Sequence, residues 1–216
     1  MENERGPQAL GRERRAPGAG VMEPLVLASG SPRRSEILRA VGWPFEATVP
    51  DVDETPRAGE AADVYVRRLA LEKAGAVASA RLFGLVLGAD TVVVVDGEIL
   101  GKPRDARDAS RMLRQLAART HEVLTGVALV RAETGRSVSG VARTRVRFAE
   151  LSGEEIERYV ETGEPLDKAG AYAVQGRAAP FIESIEGEYW NVVGLPIRLV
   201  YELARGFGKD EELKEG

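Results

Sequence analysis

The sequence predicts an α/β fold built on a mixed sheet. Strand-length apolar runs, Leu25–Ala28 and Leu85–Val95, alternate with stretches whose apolar residues recur at helical spacing. The stretch 105–118 is the clearest of these, with Met112, Leu113 and Leu116 on one face. At 216 residues and 44% hydrophobic content the chain can bury one α/β domain, or one domain with two lobes around a cleft. No internal repeat or long linker divides it, and its mixture of strands and helices favours a sheet with both parallel and antiparallel pairs.

Residues 1–21 are rich in Gly, Arg, Glu and Pro, have almost no apolar periodicity, and are expected to form a disordered tail. Met22 stands just before the first strand and offers an alternative start; Glu2, Glu4 and Glu13 offset much of the tail's positive charge. After the strand Leu25–Ala28, Ser31 suits an N-cap and Pro32 the first position of a helix that runs through Ala40 and stops at Gly42. A short strand over 45–49 leads into the acidic loop 51–54, and a helix is expected over 60–79. The strand Leu85–Val95 closes at the turn Asp96-Gly97. The helix over 105–118 precedes two strands, near 123–130 and 141–148. Ser152 and Glu155 form a capping box for a helix ending at Thr162-Gly163. A Gly-rich polar segment fills 163–196, and a last helix starts at Pro196 and fades after Arg205. The domain proper is expected over 22–207, with a charged tail over 208–216.

Composition excludes several functions. A formal net charge of -4 argues against sequence-independent nucleic-acid binding, which needs a basic footprint. It does not exclude a small polyanion held by a few concentrated cations. Without cysteine there are no disulfides, zinc-thiolate sites or thiol nucleophiles, which suits a reducing cytosol. The single histidine, His121, rules out a multi-histidine metal site and reads as structural or exposed. No apolar run reaches the roughly 18 residues of a membrane helix, and no apolar stretch follows the first basic residues as in a secretory signal.

Five segments carry candidate chemistry. In 29–34, Arg33 and Arg34 occupy the first turn of a helix, where the partial positive charge disfavours cations, unless an anion binds there. The other reading is two solvated arginines; the turn lacks the Gly-Lys-Ser/Thr ending of a Walker A loop. In Gly88-Ala89-Asp90-Thr91, Asp90 interrupts an apolar strand and is either a metal ligand or general base, or a strand-end Asp bonded to backbone amides. Lys102, in Gly101-Lys102-Pro103, matters only if the hairpin folds it back towards Asp90. The loop Asp51-Val52-Asp53-Glu54 can hold Mg²⁺ or Mn²⁺, or be simply solvated; Lys73 in the following helix reads alone as a surface lysine. The run 164–176 offers glycines for close backbone approach and Gln175, whose amide suits a base edge; otherwise it is a long loop anchored by Tyr172. Arg143, Arg145 and Arg147, alternating on one strand, read as a solvated face or as a basic ribbon towards substrate, the first being favoured.

Together these segments resemble the Maf family of nucleotide pyrophosphatases, from Leu25 to about Leu203. The matching pieces are Ala28-Ser29-Gly30-Ser31-Pro32-Arg33-Arg34, Gly88-Ala89-Asp90-Thr91-Val92-Val93, Gly101-Lys102-Pro103, the stretch 162–172 with Gln175-Gly176, and Asn191-Val192-Val193-Gly194-Leu195-Pro196. The resemblance implies an elongated, mixed-sheet α/β fold of the Maf and inosine-triphosphatase kind, with two lobes around a nucleotide cleft. It implies a cytoplasmic enzyme that needs a divalent cation, Mg²⁺ or Mn²⁺, and hydrolyses a nucleoside triphosphate to the monophosphate and pyrophosphate. Family members often pair, so a homodimer is one expected state; no nucleic-acid or membrane partner is expected. The family's proton acceptor falls on Asp90, and the positions tied to substrate choice fall on Arg33, Thr91 and Gln175. Ser31, Arg34, Lys73 and Lys102 fall on polar substrate-binding positions, and Glu54 with Asp90 on the metal side. With Thr91 and Gln175 the chain resembles the branch that prefers dTTP and UTP. The alternatives are a 7-methyl-GTP-type pyrophosphatase and a non-catalytic nucleotide-binding regulator of cell division.

Overall fold

The computed structural model describes residues 23–212, with side chains described through Phe207. The expectations for 1–21 and 213–216 lie outside the described residues. Seven strands form one mixed sheet: β1 (Leu25–Ala28), β2 (Phe45–Thr48), β3 (Leu85–Val95), β4 (Glu98–Leu100), β5 (Thr120–Arg131), β6 (Ser137–Phe148) and β7 (Ile182–Glu186). Their spatial order is β2-β1-β3-β5-β6-β7, with β4 paired to β3. β1 runs parallel to both β2 and β3, and every other pair is antiparallel. The expected mixed sheet is therefore present.

The sheet pairing creates a gap. β5 follows one edge of β3 from Leu85 to Val94. On the other edge β1 pairs only as far as Gly88, and β4 takes over at Val93. Residues 89–92 therefore keep a free edge, and the chain leaving β1 and the chain leaving β4 both exit beside it.

Strand alternation sorts the core onto two faces. On one face, Val86, Val92, Leu124 and Ala128 pack against α2 (Ala62–Ser79). Gly88 and Gly126 let that helix come close: a Cβ on Gly88 would lie 2.2 Å from the carbonyl oxygen of Ala70, and one on Gly126 2.1 Å from that of Val66. The opposite face carries two separate groups. Leu85, Leu87, Val127 and Leu129 pack with residues of α1 (Pro32–Ala40), α5 (Tyr189–Val193) and α6 (Ile197–Glu212). Val93, Val123, Val146 and Phe148 pack with α3 (Ala106–Leu116) and α4 (Gly153–Glu161). The space between these two groups is the cleft.

Several local expectations meet their physical cause. The Ser152–Glu155 capping box forms in both directions. Ser31 occupies the N-cap of α1 with extended backbone, but its side chain makes no capping bond; its own N–H donates to Ser29 Oγ instead. α6 continues to Glu212 rather than fading after Arg205, past Gly206, because Phe207 is buried in the core and anchors the last turns. β7 was hidden in the polar segment because its sequence, Ile-Glu-Ser-Ile-Glu, is an exposed edge strand with little apolar alternation.

Candidate active site

The cleft has a volume of about 620 Å³, within the range of small-molecule sites, and the free edge of β3 opens into it. All nine predicted site residues line it. Ser31, Arg33 and Arg34 come from the β1–α1 turn, and Glu54 and Lys73 from the acidic loop and α2. Asp90 and Thr91 come from β3, Lys102 from the segment after β4, and Gln175 from the polar run. The hairpin thus does fold Lys102 back towards Asp90's strand. Lys168 and Asp167, not singled out from sequence, also line the cleft. Five cationic side chains (Arg33, Arg34, Lys73, Lys102 and Lys168) then face three carboxylates, so the cleft is net basic in an acidic chain.

Asp90 points to the α2 face and is buried, with 8% of its surface exposed. Because Gly88 and Gly126 bring α2 close, Lys73 Nζ reaches Asp90 Oδ1 at 2.6 Å. The same ammonium lies 2.7 Å from Glu54 Oε1. Lys73 is therefore a buried ion-pair partner and not a surface lysine, correcting the reading of it in isolation. Burial pushes the Asp90 carboxyl above the usual carboxylate range, against the opposing pull of Lys73 and Arg34. Its Oδ2 accepts no hydrogen bond from the described residues. The acidic loop is pinned where Tyr65 Oη donates to the Glu54 carbonyl at 2.8 Å. Burial and the nearby Asp90 and Glu54 push that tyrosine up to about 12.

Arg34 is buried rather than solvated, and burial lowers its pKa. Three of its donors are spent within the protein: Nε on the Gly194 carbonyl (2.9 Å), Nη1 on Ser29 Oγ (3.1 Å) and Nη2 on Thr91 Oγ1 (3.2 Å). A guanidinium has five N–H groups, so two are left, on two nitrogens of one planar fork. Arg33 is close enough to Asp167 to help hold its carboxyl down: burial raises it, and Lys168 and then Arg33 outweigh that.

Gln175 is exposed at the cleft, and Glu164 clamps its loop. Tyr159 Oη donates to Glu164 Oε1 at 2.9 Å, and the Arg177 N–H donates to Oε1 and Oε2 at 3.0 and 3.1 Å. Any side chain on Gly176 would collide with that carboxylate, at 2.2 Å. The Gly170 N–H donates to the Gly101 carbonyl at 3.0 Å, tying the loops of Lys102 and Lys168 together.

The remaining candidates fall outside the cleft. His121 is buried, with Nε2 2.8 Å from Tyr172 Oη and its ring edge-on to Phe148, which makes it structural. Asp53 turns back on Thr55. Arg143, Arg145 and Arg147 form exposed ion pairs with Glu122, Glu186 and Glu183, the expected solvated face. Among the described residues no group of three or more His, Cys, Asp or Glu side chains could hold a metal ion, and no helix is long and apolar enough to cross a membrane.

A family model described as "Maf-like protein" matches residues 24–207. The chain belongs to the Maf family. Relatives named dTTP/UTP pyrophosphatase are similar along nearly their whole length. That of Symbiobacterium thermophilum is 54% identical over 87% of this chain and 95% of its own. That of Desulforamulus reducens is 50% identical over 87% and 98%, and that of Salmonella typhimurium 51% over 86% and 94%. Every Maf segment noted in the sequence that carries a candidate side chain lies along the cleft: the β1–α1 turn, the β3 centre, the Lys102 segment and the Gln175 loop.

Proposed function

We propose that this Maf protein hydrolyses dTTP and UTP to the monophosphate and pyrophosphate, as the names of its relatives at 50–54% identity say of those proteins. The observation that carries the reading is the meeting, in one net-basic cleft, of the unspent carboxylate oxygen of the buried Asp90 with the two unspent donors of Arg34. A triphosphate needs the second, and water activation needs the first.

In this reading Asp90 accepts a proton from water through Oδ2 while Lys73 holds Oδ1. The water oxygen bonds to the α-phosphorus, the bond from that phosphorus to the α,β-bridging oxygen breaks, and pyrophosphate leaves with the electron pair. Arg33, Arg34 and Lys102 stabilise the charge that grows on the leaving group, with Lys168 as a further cation not foreseen from sequence. Ser31, at the N-cap, offers a hydroxyl not engaged in capping to the same phosphates. Gln175 faces the base.

The protein alone offers two carboxylates, Asp90 and Glu54, bridged by one ammonium. That donor set fits Mg²⁺ or Mn²⁺, which takes one or two carboxylates and completes its shell with water and substrate phosphates. When bound, such an ion would neutralise phosphate charge. Cytoplasmic location and pairing into a homodimer belong to the same proposal, by family resemblance.

The test is pyrophosphate release from dTTP, UTP, CTP, ATP, GTP and 7-methyl-GTP with Mg²⁺ or Mn²⁺. Release fastest from dTTP and UTP supports the reading. Preference for 7-methyl-GTP moves the chain to that branch, and nucleotide binding without release points to a regulator.

A further inference from the structure

Thr125 stands on β5 directly opposite Thr91 in the β3–β5 register and is fully buried. It does not line the cleft. Its Oγ1 lies 2.9 Å from Thr91 Oγ1, the shortest hydrogen bond that Thr91 makes. Thr91 Oγ1 also accepts from Arg34 Nη2 at 3.2 Å and lies 3.4 Å from the Gly194 carbonyl oxygen.

A hydroxyl has one proton and two lone pairs. All these contacts are satisfied together when Thr125 donates to Thr91 and Thr91 donates to Gly194. The Thr91 oxygen then accepts twice, from Thr125 and from Arg34. Thr91 is thereby anchored to the arginine fork. Removing the Thr125 hydroxyl frees a lone pair on Thr91 and lets its side chain turn, which releases one of the three anchors of Arg34.

We infer that Thr125 is a positioning residue, acting through Thr91 to aim the two unspent N–H groups of Arg34 at the substrate's phosphates. The pair sets how strongly the triphosphate is gripped through Arg34. This rests on the triphosphate reading above.

The experiment measures kcat and KM of Thr125→Val, Thr125→Ser, Thr91→Val and the double valine variant on dTTP, UTP, CTP and GTP. Binding of a non-hydrolysable α,β-imido dTTP is measured by calorimetry on each. Thr125→Val should lose about three- to tenfold in kcat/KM, the scale of one hydrogen bond. The analogue should bind more weakly to Thr125→Val by a similar factor. Thr125→Ser should recover most of the loss. The double variant should be no worse than Thr91→Val alone, because the two hydroxyls act through one guanidinium. A folded Thr125→Val with wild-type kcat/KM and wild-type affinity for the analogue, or additive losses in the double variant, would overturn the inference. If Thr125→Val does not fold, the comparison of Thr125→Ser with Thr125→Ala decides in the same way. A wild-type chain that neither binds the analogue nor releases pyrophosphate would instead sink the triphosphate reading itself.

Discussion

Lys73 Nζ lies 2.6 Å from Asp90 Oδ1, joining the middle of α2 to the one carboxylate in an apolar strand. The pair is buried on both sides, and Glu54 shares the ammonium from the solvent side. Burial raises the Asp90 pKa, and Lys73 is the strongest opposing influence. Proton acceptance needs the ionised carboxylate, so activity falls as pH drops through that raised pKa. Replacing Lys73 with Met removes the opposing charge and should raise the Asp90 pKa further. The acid limb of the pH–rate profile should therefore move to higher pH, along with a fall in kcat. An acid limb left in place would show that Asp90 is not the group it reports.

Gly88 and Gly126 make that ion pair possible by letting the backbone of α2 lie against the sheet. Gly88→Ala puts a methyl 2.2 Å from the Ala70 carbonyl oxygen, so the helix must shift. Overpacking of this kind costs about 1–3 kcal/mol. Thermal unfolding should drop accordingly, and kcat should fall by more than KM changes, because Lys73 moves away from Asp90.

His121 gives an acid-stability prediction independent of catalysis. Burial lowers its pKa to about 4, so the folded protein keeps it neutral while the unfolded chain takes up a proton near 6.5. The unfolded state then binds more protons between those values. Stability is present above about pH 6.5 and is lost as pH falls towards 4, at up to about 1.4 kcal/mol per pH unit from this group. Denaturant titrations across that window should show a shallower loss in His121→Gln than in the parent. Parallel curves would mean that His121 is not protonated on unfolding.

Glu164 and Gly176 predict a separation of base choice from chemistry. The Glu164 carboxylate accepts from the Tyr159 hydroxyl and the Arg177 amide, and Gly176 is the residue that leaves it room. Gly176→Ala should displace the Gln175 loop and change the relative rates on UTP and CTP several-fold, a shift of about 1 kcal/mol or less. The pH–rate profile should stay where it was.

What could be read from sequence, and what could not, divides on a physical line. Asp90, Arg33 and Arg34 stood out because charges in an apolar strand or at a helix start violate local preference, whereas Lys102, in a turn, stood out only through the order of the family motifs. The strand Leu85–Val95 and the Ser152–Glu155 cap were legible because periodicity and capping are local. Lys73 looked like a surface lysine because its burial comes from glycines on two strands distant in sequence. Thr125 gave no signal, and Glu164, though inside a matching segment, gave none of its role, for a similar reason: these roles arise from a cross-strand pair and from a loop closing on a helix. The free edge of β3 depends on where β1 stops and β4 begins, which no single segment encodes.

The most direct test of the central claim is pyrophosphate release from dTTP and UTP by the parent and by Asp90→Asn, each with Mg²⁺ or Mn²⁺ and with unfolding measured on both. Asparagine keeps the shape and removes the proton acceptor, so kcat should fall by about 10²–10⁴ with the fold retained. Near-parental turnover in Asp90→Asn would contradict the assignment of Asp90 as the base.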